Sequence, residues 1–556
     1  MVSPIQSLPA EVVSLIAAGE VIDSPAAVVR ELIDNALDAK ATRIHIALWP
    51  EQWQIRVADN GQGMTLADLE RAAAPHSTSK IHDRADLWQI TSLGFRGEAL
   101  HSLAQLADLE ICSRSATAAD RTGQQVTYNA EGEVIEVEAV PIAPGTIVTV
   151  SHLFQIWPTR RQSLPTFPQQ MRAVQQVVQR AALCHPHVTW QVEQNDRTWF
   201  TLWPGQTAKQ VLPQILKDIH PTDLQELAVN LHHSSDGSSL YLLAGLPDRC
   251  HRHRPDAMRV AVNGRCVRVP ELEQVIFTAF RRTLPRDRHP ICFIHLQVPA
   301  QEIDWNRHPA KAEVYLQHLE WWQEQVQGAI GQALSATTLP ESLYSKRVGQ
   351  VLKTAETEGG YEVTRTVQSS SKLPSPGNPL KAVAQVHQMY ILAEHPAGLW
   401  LIEQHIAHER VLYEQLCDRW QLVALEPPII LQRLTPAQVA QLQRLQLTVE
   451  AFGEQCWAVR MAPEMLAQRS DCAEALLELS QGGDLETALV ATACRSAIRN
   501  GTPLTLAEMQ HLLDQWQQTR HPRTCPHGRP ICLTLEESAL SRFFRRHWVI
   551  GKSHGI

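Results

Sequence analysis

A polar face on one predicted helix constrains this chain more than any other feature. The segment runs Glu31-Leu32-Ile33-Asp34-Asn35-Ala36-Leu37-Asp38, and its apolar residues have helical spacing. With about 100° between successive residues, Glu31, Asn35 and Asp38 point to the same side of the helix. A solvated stripe on an amphipathic helix is the usual interpretation of such a face taken alone. The segments that follow it favour a binding site instead.

Several short segments downstream are typical of a site for a flat, charged ligand. The predicted strand at 55–58 leads into Asp59-Asn60-Gly61-Gln62-Gly63, which places a carboxylate beside backbone that a flat ligand can approach closely. The loop Gly94-Phe95-Arg96-Gly97 opens into a helix whose first amides are free to bind phosphate oxygens. His76-Ser77-Thr78-Ser79-Lys80 adds hydroxyls and a cation, and Gly145-Thr146 begins another β-rich segment.

The order of these segments carries a family resemblance. ELIDNALDA, DNGQGM, HSTSKI, TSLGFRGEAL and PGTIVTV together resemble the ATPases shared by gyrase, heat-shock chaperones, histidine kinases and MutL. The leading IAAGEVIDSP, with GFRGEAL, resembles MutL specifically. No Walker pattern GxxxxGK[ST] occurs, so nucleotide binding would use this other design. The resemblance implies a GHKL (Bergerat) ATPase sandwich, in which a mixed sheet and its helices hold ATP between them.

The resemblance also implies a role for each matching residue. Glu31 would be the general base that activates water, and Asn35 would bind Mg²⁺, which suits a reaction that depends on positioning and charge neutralisation. Asp59 would accept the adenine amino group. The other expected nucleotide contacts are Gly61, Gly63, Thr78, Ser79 and Thr146, with Gly94, Phe95, Arg96 and Gly97 as a lid over the phosphates.

The region 206–334 shows a second pattern of strands and helices with two basic runs, at 249–259 and 281–288. A charge run is usually a solvated face. Between these runs, however, Val260-Ala261-Val262-Asn263-Gly264-Arg265-Cys266-Val267-Arg268 resembles the VNGR segment of MutL. The resemblance implies that Arg265 and Arg268 bind DNA phosphates. Such contacts are independent of base sequence and strongly dependent on salt.

A lysine near the end of the same region is expected to reach the nucleotide. His308-Pro309-Ala310-Lys311 resembles the HPAK motif of MutL, in which the lysine extends from the second domain to the γ-phosphate. An ammonium group there would stabilise negative charge developing in the transition state. Arg307 stands where the family usually has valine. Lys311 is therefore predicted to link two domains through one ligand.

Length and composition fit a soluble protein of several domains. The 556 residues predict three or four units, and 44% hydrophobic with 19% charged residues is ordinary soluble composition. The resemblance implies, in chain order, an ATPase domain at 1–205, a ribosomal-protein-like βαβ domain at 206–334, a flexible linker at 335–378, and an α/β dimerisation domain at 379–556. The fold class that it implies is α+β.

Other global features bear on location and partners. No apolar run reaches the roughly 18 residues of a membrane span, and no secretory leader pattern begins the chain. Eleven scattered cysteines fit a reducing compartment better than a disulfide framework, so we expect a cytoplasmic protein without a membrane. The net charge of −8 does not argue against DNA binding, which depends on local basic patches.

The C-terminal region carries potential metal ligands. His405 and Glu409 have i,i+4 spacing on a predicted helix, which suits two ligands of one metal. Such a pair alone is more often an ordinary surface pair. The segments Ala493-Cys494-Arg495 and Thr524-Cys525-Pro526-His527-Gly528-Arg529-Pro530 add further nitrogen and sulfur donors.

Together these segments resemble the endonuclease form of MutL. The resemblance implies a metal site formed by His405, Glu409, Cys494, Cys525 and His527. This donor set suits Zn²⁺, while nicking in the family is often supported by Mn²⁺. The sequence departs from the family at Glu403, where aspartate is usual, and at Ile406, where alanine is usual; a longer carboxylate at Glu403 brings the nicking rate into question. Glu414 is expected to pack or cap rather than bind metal.

The family resemblance extends to assembly. The C-terminal domain would form a homodimer and contain an inserted subdomain at about 429–493. A peptide of QxxLxP type, which docks on the sliding clamp in family members, would fall at Leu425-Glu426-Pro427-Pro428-Ile429-Ile430, but the glutamine is absent. Binding to the sliding clamp is therefore left open.

Taken together, the resemblance implies a DNA mismatch repair protein. ATP would clamp the N-terminal domains around DNA, the mismatch sensor MutS would be a partner, and the C-terminal site would nick one strand. One alternative is a matchmaker that does not nick and whose metal is structural, which the Glu403 departure favours. A chaperone or topoisomerase is disfavoured because HPAK, VNGR and CPHGRP have no role there.

Overall fold

The computed structural model describes residues 9–81, 92–94, 97–117, 122–231, 237–305, 313–335, 380–453 and 455–536. The chain divides into two units. The first unit comprises Met1–Gly245, Asp256–Ile276 and Ile291–Ala329, and the second comprises Leu246–Pro255, Phe277–Pro290 and Ile330–Ile556. Most of the predicted linker lies outside the described residues.

The first sheet consists of eight strands. In chain order they are β1 (Arg43–Trp49), β2 (Gln54–Asp59), β3 (Asp108–Arg114), β4 (Gly123–Tyr128), β5 (Val134–Val140), β6 (Gly145–Ser151), β7 (Thr189–Gln194) and β8 (Arg197–Leu202). Their order in the sheet is β5-β4-β3-β6-β2-β1-β7-β8. β1 and β7 are parallel and the other neighbours are antiparallel. The sheet is therefore mixed, as the resemblance implied.

Several helices of the N-terminal half pack against strands of this sheet or of the next one. The described α-helices of this half are α1 (Ala10–Val21), α2 (Pro25–Asp38), α3 (Leu66–Ala72), α4 (Ala99–Leu106), α5 (Pro158–Ser163), α6 (Phe167–Cys184), α7 (Ala208–Ile215), α8 (Pro270–Ala279) and α9 (Leu319–Leu334). α2 contacts β1, β2 and α6, which places it over the middle of the first sheet.

The sequence of α2 explains why it forms and where it begins. Ser24 is its N-cap and accepts a hydrogen bond from the backbone N–H of Ala27, while Pro25 occupies the first turn, where a missing N–H costs nothing. Its apolar side chains are buried, but so are Glu31 and Asp34, which are 8% and 7% exposed. The helix therefore carries charged groups into the interior of the unit. A solvated surface stripe is excluded for this face.

A second sheet follows in the first unit. Its strands are β9 (Leu224–Leu231), β10 (Ser238–Gly245), β11 (Met258–Val262), β12 (Arg265–Val267) and β13 (Cys292–Gln297), in the order β12-β11-β13-β10-β9. β11 and β13 are parallel, and α8 lies between them in the chain. This is the predicted βαβ arrangement. A two-stranded ladder of β14 (Ile303–Asp304) and β15 (Tyr315–Leu316) precedes α9.

The second unit contains two antiparallel sheets. One has the order β16-β17-β18-β22, formed by β16 (Lys381–Val386), β17 (Tyr390–His395), β18 (Gly398–Glu403) and β22 (Cys532–Glu536). The other has the order β19-β21-β20, formed by β19 (Leu422–Gln432), β20 (Val449–Ala451) and β21 (Cys456–Pro463). The remaining helices are α10 (Gln404–Asp418), α11 (Pro436–Arg444), α12 (Glu464–Ala467), α13 (Cys472–Ser480), α14 (Leu485–Ser496) and α15 (Leu506–Gln517).

Each sheet of the second unit has its own core. Trp400, Ile402 and Leu513 belong to the cluster between the four-stranded sheet, α10 and α15. Leu442 and Leu476 belong to a separate cluster around the three-stranded sheet. Because the three-stranded sheet is built from chain lying between α10 and α14, it forms an insertion within the surrounding fold. These layers agree with the α+β class predicted from the sequence.

Among the described residues, no single helix is both long and apolar enough to cross a bilayer. The bent helix pair Val12–Val21 and Pro25–Asp38 has the length and composition of a span, by those two criteria alone.

Candidate functional site

The carboxylate of Asp38 connects α2 to two of the predicted nucleotide segments. The Lys80 ammonium lies 2.6 Å from Oδ2 of Asp38 and 3.1 Å from Oδ1 of Asn35. The backbone N–H groups of Leu93 and Gly94 each donate to Asp38 at 2.9 Å. Asp38 therefore holds the loop before α4 beside the helix, and a cation already lies against the predicted Mg²⁺ ligand.

Glu31, the predicted general base, is withdrawn from bulk solvent. Its side chain is 10% exposed, and its Oε1 lies 3.2 Å from Nε of Arg30. Asn35 is half-buried one turn further along the same helix. A carboxylate in this position can orient a single water molecule without competing bulk solvent. The structure thus places both predicted residues on one protected face.

Asp59 ends β2 in the first sheet. Its Oδ1 accepts a 2.7 Å hydrogen bond from the backbone N–H of Gly61. Burial raises the pKa of the Asp59 carboxyl to about 6, although backbone hydrogen bonds from Gly61 and Thr146 act in the opposite direction. The Asp59 carboxyl therefore titrates just below neutral pH.

The two glycines after Asp59 are required by the loop itself. A Cβ at Gly61 would lie 2.7 Å from the carbonyl oxygen of Ala39. Gly63 has a φ of +66°, and a Cβ there would lie 2.0 Å from the carbonyl oxygen of Arg114. Any larger residue would displace backbone at both positions. Their absence of side chains is explained by the fold, in addition to any approach of a ligand.

The other predicted nucleotide contacts differ in their surroundings. Thr78 accepts a hydrogen bond from the backbone N–H of Lys80 at 3.2 Å, whereas Ser79 is exposed. Thr146 is buried, pairs with Asp59 across β2 and β6, and lies 2.9 Å from the Ser113 hydroxyl. Gly97 has a φ of +63°. Phe95, Arg96 and Lys311 lie outside the described residues.

Arg265 is placed in the interior rather than on a surface. Its side chain is 7% exposed and forms an ion pair with Asp34 of α2. The same guanidinium donates to the carbonyl oxygen of Leu93 at 3.0 Å. Arg268, in contrast, is exposed. DNA contact by either residue stays a prediction. In this structure Arg265 joins the VNGR segment to α2.

A compact cluster of donor atoms lies in the second unit. The ligand atoms of Glu409, Cys525 and His527 are within 4.8 Å of one another. Glu409 is fully buried on α10 and Cys525 is fully buried in the CPHGRP segment. Oε1 of Glu409 and Nδ1 of His527 are 2.9 Å apart, yet neither has a hydrogen-bond partner in the described part of the chain.

These donors fit a metal ion. Oε1 of Glu409 and Nδ1 of His527 lie at ion-pair distance, and two such atoms without a further hydrogen-bond partner among the described residues are placed to bind one cation together. Sulfur, nitrogen and carboxylate oxygen are the donors that Zn²⁺ accepts. Contacts with Cys525 and Glu409 raise the pKa of His527 to about 9. Burial opposes ionisation of Glu409 and of Cys525, but His527 lowers the pKa of both.

His405 and Cys494 lie near this cluster without completing it. Nδ1 of His405 is 2.9 Å from the carbonyl oxygen of Ile498, which leaves Nε2 available for another partner. The carboxylate of Glu409 raises the pKa of the Cys494 thiol, after burial as the larger cause, to about 11. Three of the five predicted ligands are therefore brought together as a set.

The two acidic residues that flank the predicted ligands on α10 have other functions. Glu403 is the N-cap of the helix: its carboxylate accepts from the Ile406 N–H at 2.5 Å and from the Asn500 amide at 2.7 Å. Glu414 accepts the backbone N–H groups of Arg520 and His521 at 2.6 and 3.0 Å. The longer side chain at position 403 thus provides the cap that aspartate usually gives.

Three family profiles match separate parts of the chain. Residues 23–151 match the histidine kinase-, DNA gyrase B- and HSP90-like ATPases. Residues 216–335 match the C-terminal domain described for DNA mismatch repair proteins. Residues 383–504 match the MutL C-terminal dimerisation domain. Cys525 and His527 lie beyond the last of these matches.

Full-length relatives decide the family. A DNA mismatch repair protein MutL from Nostoc sp. is 62% identical and aligned over 100% of both chains, and one from Methanoculleus marisnigri is 30% identical over 98% of this chain and 99% of its own. This chain belongs to the MutL family of DNA mismatch repair proteins. A solved N-terminal domain of a DNA repair protein covers 57% of this chain and 96% of its own, at 24% identity and a TM-score of 0.49.

Membership confirms the coarser predictions made from the sequence. The chain is a MutL mismatch repair protein with a GHKL ATPase domain and a C-terminal dimerisation domain. The α+β fold class is also confirmed. The assigned roles of individual residues, the predicted domain bounds and the nicking activity remain predictions.

Sequence reasoning missed several charged residues that organise these MutL sites. The principal ones are Asp34, which pairs with Arg265, and Arg529, whose guanidinium lies 3.2 Å from Glu409. Lys80 was noted only as a possible anion contact, yet it pairs with Asp38. The signal in the sequence that could have indicated a partner is the position of an acidic residue, Asp34, among the apolar residues of a predicted helix.

Proposed function

We propose that this MutL protein is an ATP-gated DNA clamp that couples mismatch recognition to strand removal and nicks DNA at its C-terminal site. The single observation that carries the nicking proposal is the convergence of Glu409, Cys525 and His527 on one point. Glu409 and Cys525 are fully buried, and a buried carboxylate or thiolate needs a cation or a hydrogen-bond donor beside it. A divalent ion bound by these three donors would meet that need and supply the chemistry of a metal-dependent nuclease.

In the ATPase domain, the proposed reaction depends on the polar face of α2. Glu31 would take a proton from the attacking water, and Asn35 would hold the Mg²⁺ that neutralises phosphate charge. The Asp59 carboxylate would accept the adenine amino group and so select ATP. Lys80 can exchange its contact with Asn35 for a phosphate oxygen, since an ammonium is a mobile donor. Lys311 would supply a second cation at the γ-phosphate.

In the C-terminal domain, Glu409, Cys525 and His527 would hold Zn²⁺ or Mn²⁺, with His405 and Cys494 as further ligands. A bound divalent ion supplies Lewis-acid polarisation of the phosphodiester and lowers the pKa of a bound water. The protein's part is to exclude bulk water from the buried donors and to fix their geometry. Arg529, which already contacts Glu409, can bind a nonbridging phosphate oxygen beside the site.

The proposed assembly is a cytoplasmic homodimer that binds DNA and the mismatch sensor MutS. The proposed domains are 1–205, 206–334 and 379–556, joined by a linker at 335–378 and with an insertion at about 429–493. Arg268 is the exposed candidate for DNA phosphate contact. The segment near Leu425 lacks the glutamine that is usual in a clamp-binding peptide, so we do not propose binding to the sliding clamp.

A plasmid assay tests the proposal. Purified protein is incubated with supercoiled plasmid and Mn²⁺, and relaxed circles are scored for wild type, Glu409→Ala and Cys525→Ala. Cys417→Ala, an exposed thiol on α10, is the matched control. We expect nicking by wild type and the control, and loss of nicking in the two site variants.

In parallel, Glu31→Ala should lower ATP hydrolysis by about 100-fold or more. Glu51→Ala, which replaces an exposed glutamate, should leave ATP hydrolysis unchanged.

A matchmaker that does not nick is the second candidate. It is favoured by the contact between Arg529 and Glu409, because a guanidinium can neutralise the carboxylate in place of a metal. In that case plasmid stays supercoiled although ATP hydrolysis is normal. Elemental analysis of the purified protein then separates a structural metal from none.

A further inference from the structure

The Phe277–Pro290 segment of the second unit packs on the CPHGRP segment. The buried Arg410 guanidinium donates to the carbonyl oxygen of Arg282 at 2.8 Å, and the Thr524 hydroxyl donates to that of Thr283 at 2.8 Å. A Cβ at Gly528 would lie 2.1 Å from the backbone nitrogen of Pro285. Close backbone approach and buried hydrogen bonds fix this segment beside the candidate metal ligands.

The junction forms a basic cavity of about 230 Å³ that is open to solvent. Its walls include Arg281, Arg282, Arg286 and Arg288, and it shares the side chain of His527 with the donor cluster. None of the described residues that line it is an aspartate or a glutamate. A cavity that adjoins a candidate nuclease centre and carries several guanidinium groups is suited to a phosphate of the DNA backbone.

The four arginines divide into two pairs. Arg281 and Arg282 are neutralised by α14: Arg281 lies 2.5 Å from Glu486, and Nε of Arg282 lies 3.0 Å from the same carboxylate. Among the described residues, no ion pair involves Arg286 or Arg288. Arg286 is exposed and Arg288 is half-buried, with the exposed Asp287 between them in sequence. The second pair therefore retains positive charge that an external anion can neutralise.

We propose that this cavity binds a backbone phosphate of the strand being nicked, close to the scissile phosphodiester, with Arg286 and Arg288 as positioning residues. The inference rests on the proposed nicking function. It deepens that function by assigning this cavity, here termed the groove, as the site for the substrate strand. The arginines of the groove belong to a segment that precedes the C-terminal domain by about 90 residues. Because phosphate contacts position DNA without reading bases, the groove would accept any sequence.

DNA binding at increasing NaCl tests the groove without catalysis. The full-length double variant Arg286→Ala/Arg288→Ala is compared with wild type by anisotropy of a labelled short duplex, without metal or nucleotide. The slope of log affinity against log salt should fall by about 2, since each phosphate contact contributes about 0.9. The control is Arg419→Ala/Arg444→Ala, which removes two exposed arginines of the same unit and should leave the slope unchanged.

Nicking supplies the second measurement. We expect the double variant to raise the KM for supercoiled plasmid several-fold while kcat, metal content and ATP hydrolysis stay near wild type. If wild type nicks but the variant changes neither salt slope nor KM, the groove is wrong and the nicking function stands. If wild type does not nick, the proposed function fails. In that case an unchanged salt slope overturns the groove as a phosphate site, and a reduced slope retains it.

A separate observation in the first unit concerns two thiols. Sγ of Cys184, at the end of α6, lies 3.6 Å from Sγ of Cys266 in β12. The hydrogen bond from Cys184 is the main cause of a lowered pKa at Cys266, and Arg180 and Arg259 also favour its thiolate. The two sulfurs need to approach by about 1.5 Å to reach disulfide length.

We infer that Cys184 and Cys266 form an oxidisable pair. The Cys266 thiolate attacks hydrogen peroxide to give a sulfenic acid and hydroxide; the Cys184 thiol then attacks that sulfur, forming the disulfide and releasing water. Two thiols and one peroxide thus give one disulfide and two waters. Cys266 adjoins Arg265, the partner of Asp34 on α2, so the bond would restrain β12 against the end of α6.

Peptide mapping of full-length protein after peroxide treatment tests this pair. We expect a disulfide-linked peptide containing both cysteines, and a fall in ATP hydrolysis that dithiothreitol reverses. Cys184→Ser should abolish both effects, whereas Cys417→Ser, an exposed thiol elsewhere, should abolish neither. Sulfenic or sulfonic acid on separate cysteines, without the linked peptide, would overturn the inference.

Discussion

At the residue scale, Asp59 shows how burial sets the chemistry of a carboxyl group that we propose recognises adenine. Its carboxyl is withdrawn from water, and two backbone N–H groups only partly compensate for the lost hydration. The charged form is therefore disfavoured compared with a free aspartate. Since a carboxylate accepts a hydrogen bond from the adenine amino group better than a carboxylic acid does, protonation should weaken nucleotide binding.

This predicts a pH dependence of ATP affinity. Because the pKa of Asp59 is raised to about 6, its protonated form accumulates as pH falls through 6, and ATP affinity should fall in the same interval. Asp59→Asn should bind ATP about 30-fold more weakly, corresponding to about 2 kcal/mol, and should lose this pH dependence. Calorimetric titration with ATP, repeated about every pH unit between pH 5 and pH 8, measures both the affinity and its pH dependence.

The matched control is Asp218→Asn, because Asp218 is an exposed aspartate of the same unit. It should reproduce the wild-type curve. An Asp59→Asn curve that kept the wild-type inflection would show that another group titrates.

At the element scale, α2 is attached to the second sheet by a buried ion pair. Asp34 and Arg265 are 9% and 7% exposed at their side chains, and they join α2 to β12. Removing one member leaves the other charge buried without its partner. We expect Asp34→Ala or Arg265→Ala to lower the free energy of unfolding by about 3–5 kcal/mol, and the double variant to recover part of that loss.

Thermal unfolding measures the loss of stability in the single and double variants. The relevant transition is the one whose midpoint shifts when ATP is added, because a ligand stabilises the part of the molecule that binds it. Arg268→Ala, which removes an exposed arginine in the same segment, is the control. Single variants that unfold like wild type would show that the pair contributes no net stability and would return Arg265 to the list of DNA contacts.

The N-terminus of α10 gives a second prediction for an element. Glu403 accepts the Ile406 N–H, so Glu403→Ala should destabilise the second unit by about 1 kcal/mol. Glu403→Asp should keep the cap, since aspartate is a preferred N-cap, while losing the contact to Asn500. Urea unfolding and metal content measure the outcome. A loss of metal without a loss of stability would instead make Glu403 part of the metal site.

At the scale of the whole molecule, clamp formation would be a topological property. Dimerisation at the C-terminal domain and ATP-dependent association of the N-terminal domains would enclose DNA in a ring. A ring holds circular DNA without strong contacts, but a short linear duplex can leave through its ends.

We therefore expect a nonhydrolysable ATP analogue to make binding to circular DNA resistant to a high-salt wash. Linear DNA of the same sequence should be released, since ordinary phosphate contacts weaken steeply with salt. Asn35→Ala, which should not bind Mg²⁺-nucleotide, serves as the control and should release both. Equal retention of linear and circular DNA would exclude a closed clamp.

Much of the fold could be predicted from the sequence, and so could the placement of several candidate residues in the ATPase domain. The helix at 25–38 and the glycine loop after Asp59 follow from local features: an N-cap, apolar spacing and residues without a Cβ. The order of these segments also carried the family resemblance, which the full-length relatives confirm. In the second unit the spacing of His405 and Glu409 placed both on one helix.

Local patterns did not reveal how distant charges pair. Asp38 meets Lys80 and Gly94, and Arg529 meets Glu409 from 120 positions away. These contacts depend on strand order and on packing between elements, neither of which has a local sequence pattern. The same limit explains why Arg265 was predicted to bind DNA, although in this structure it pairs with Asp34.

The sequence by itself determined the family, the type of each element and the residues available for chemistry, because periodicity, capping and backbone freedom act over a few neighbouring positions. Only the tertiary structure decided which of those residues are buried, which charges are paired and which donors converge at Glu409, Cys525 and His527. The physical reason is that ionisation, metal binding and hydrogen bonding depend on distances of a few ångströms between atoms that the chain brings together only on folding.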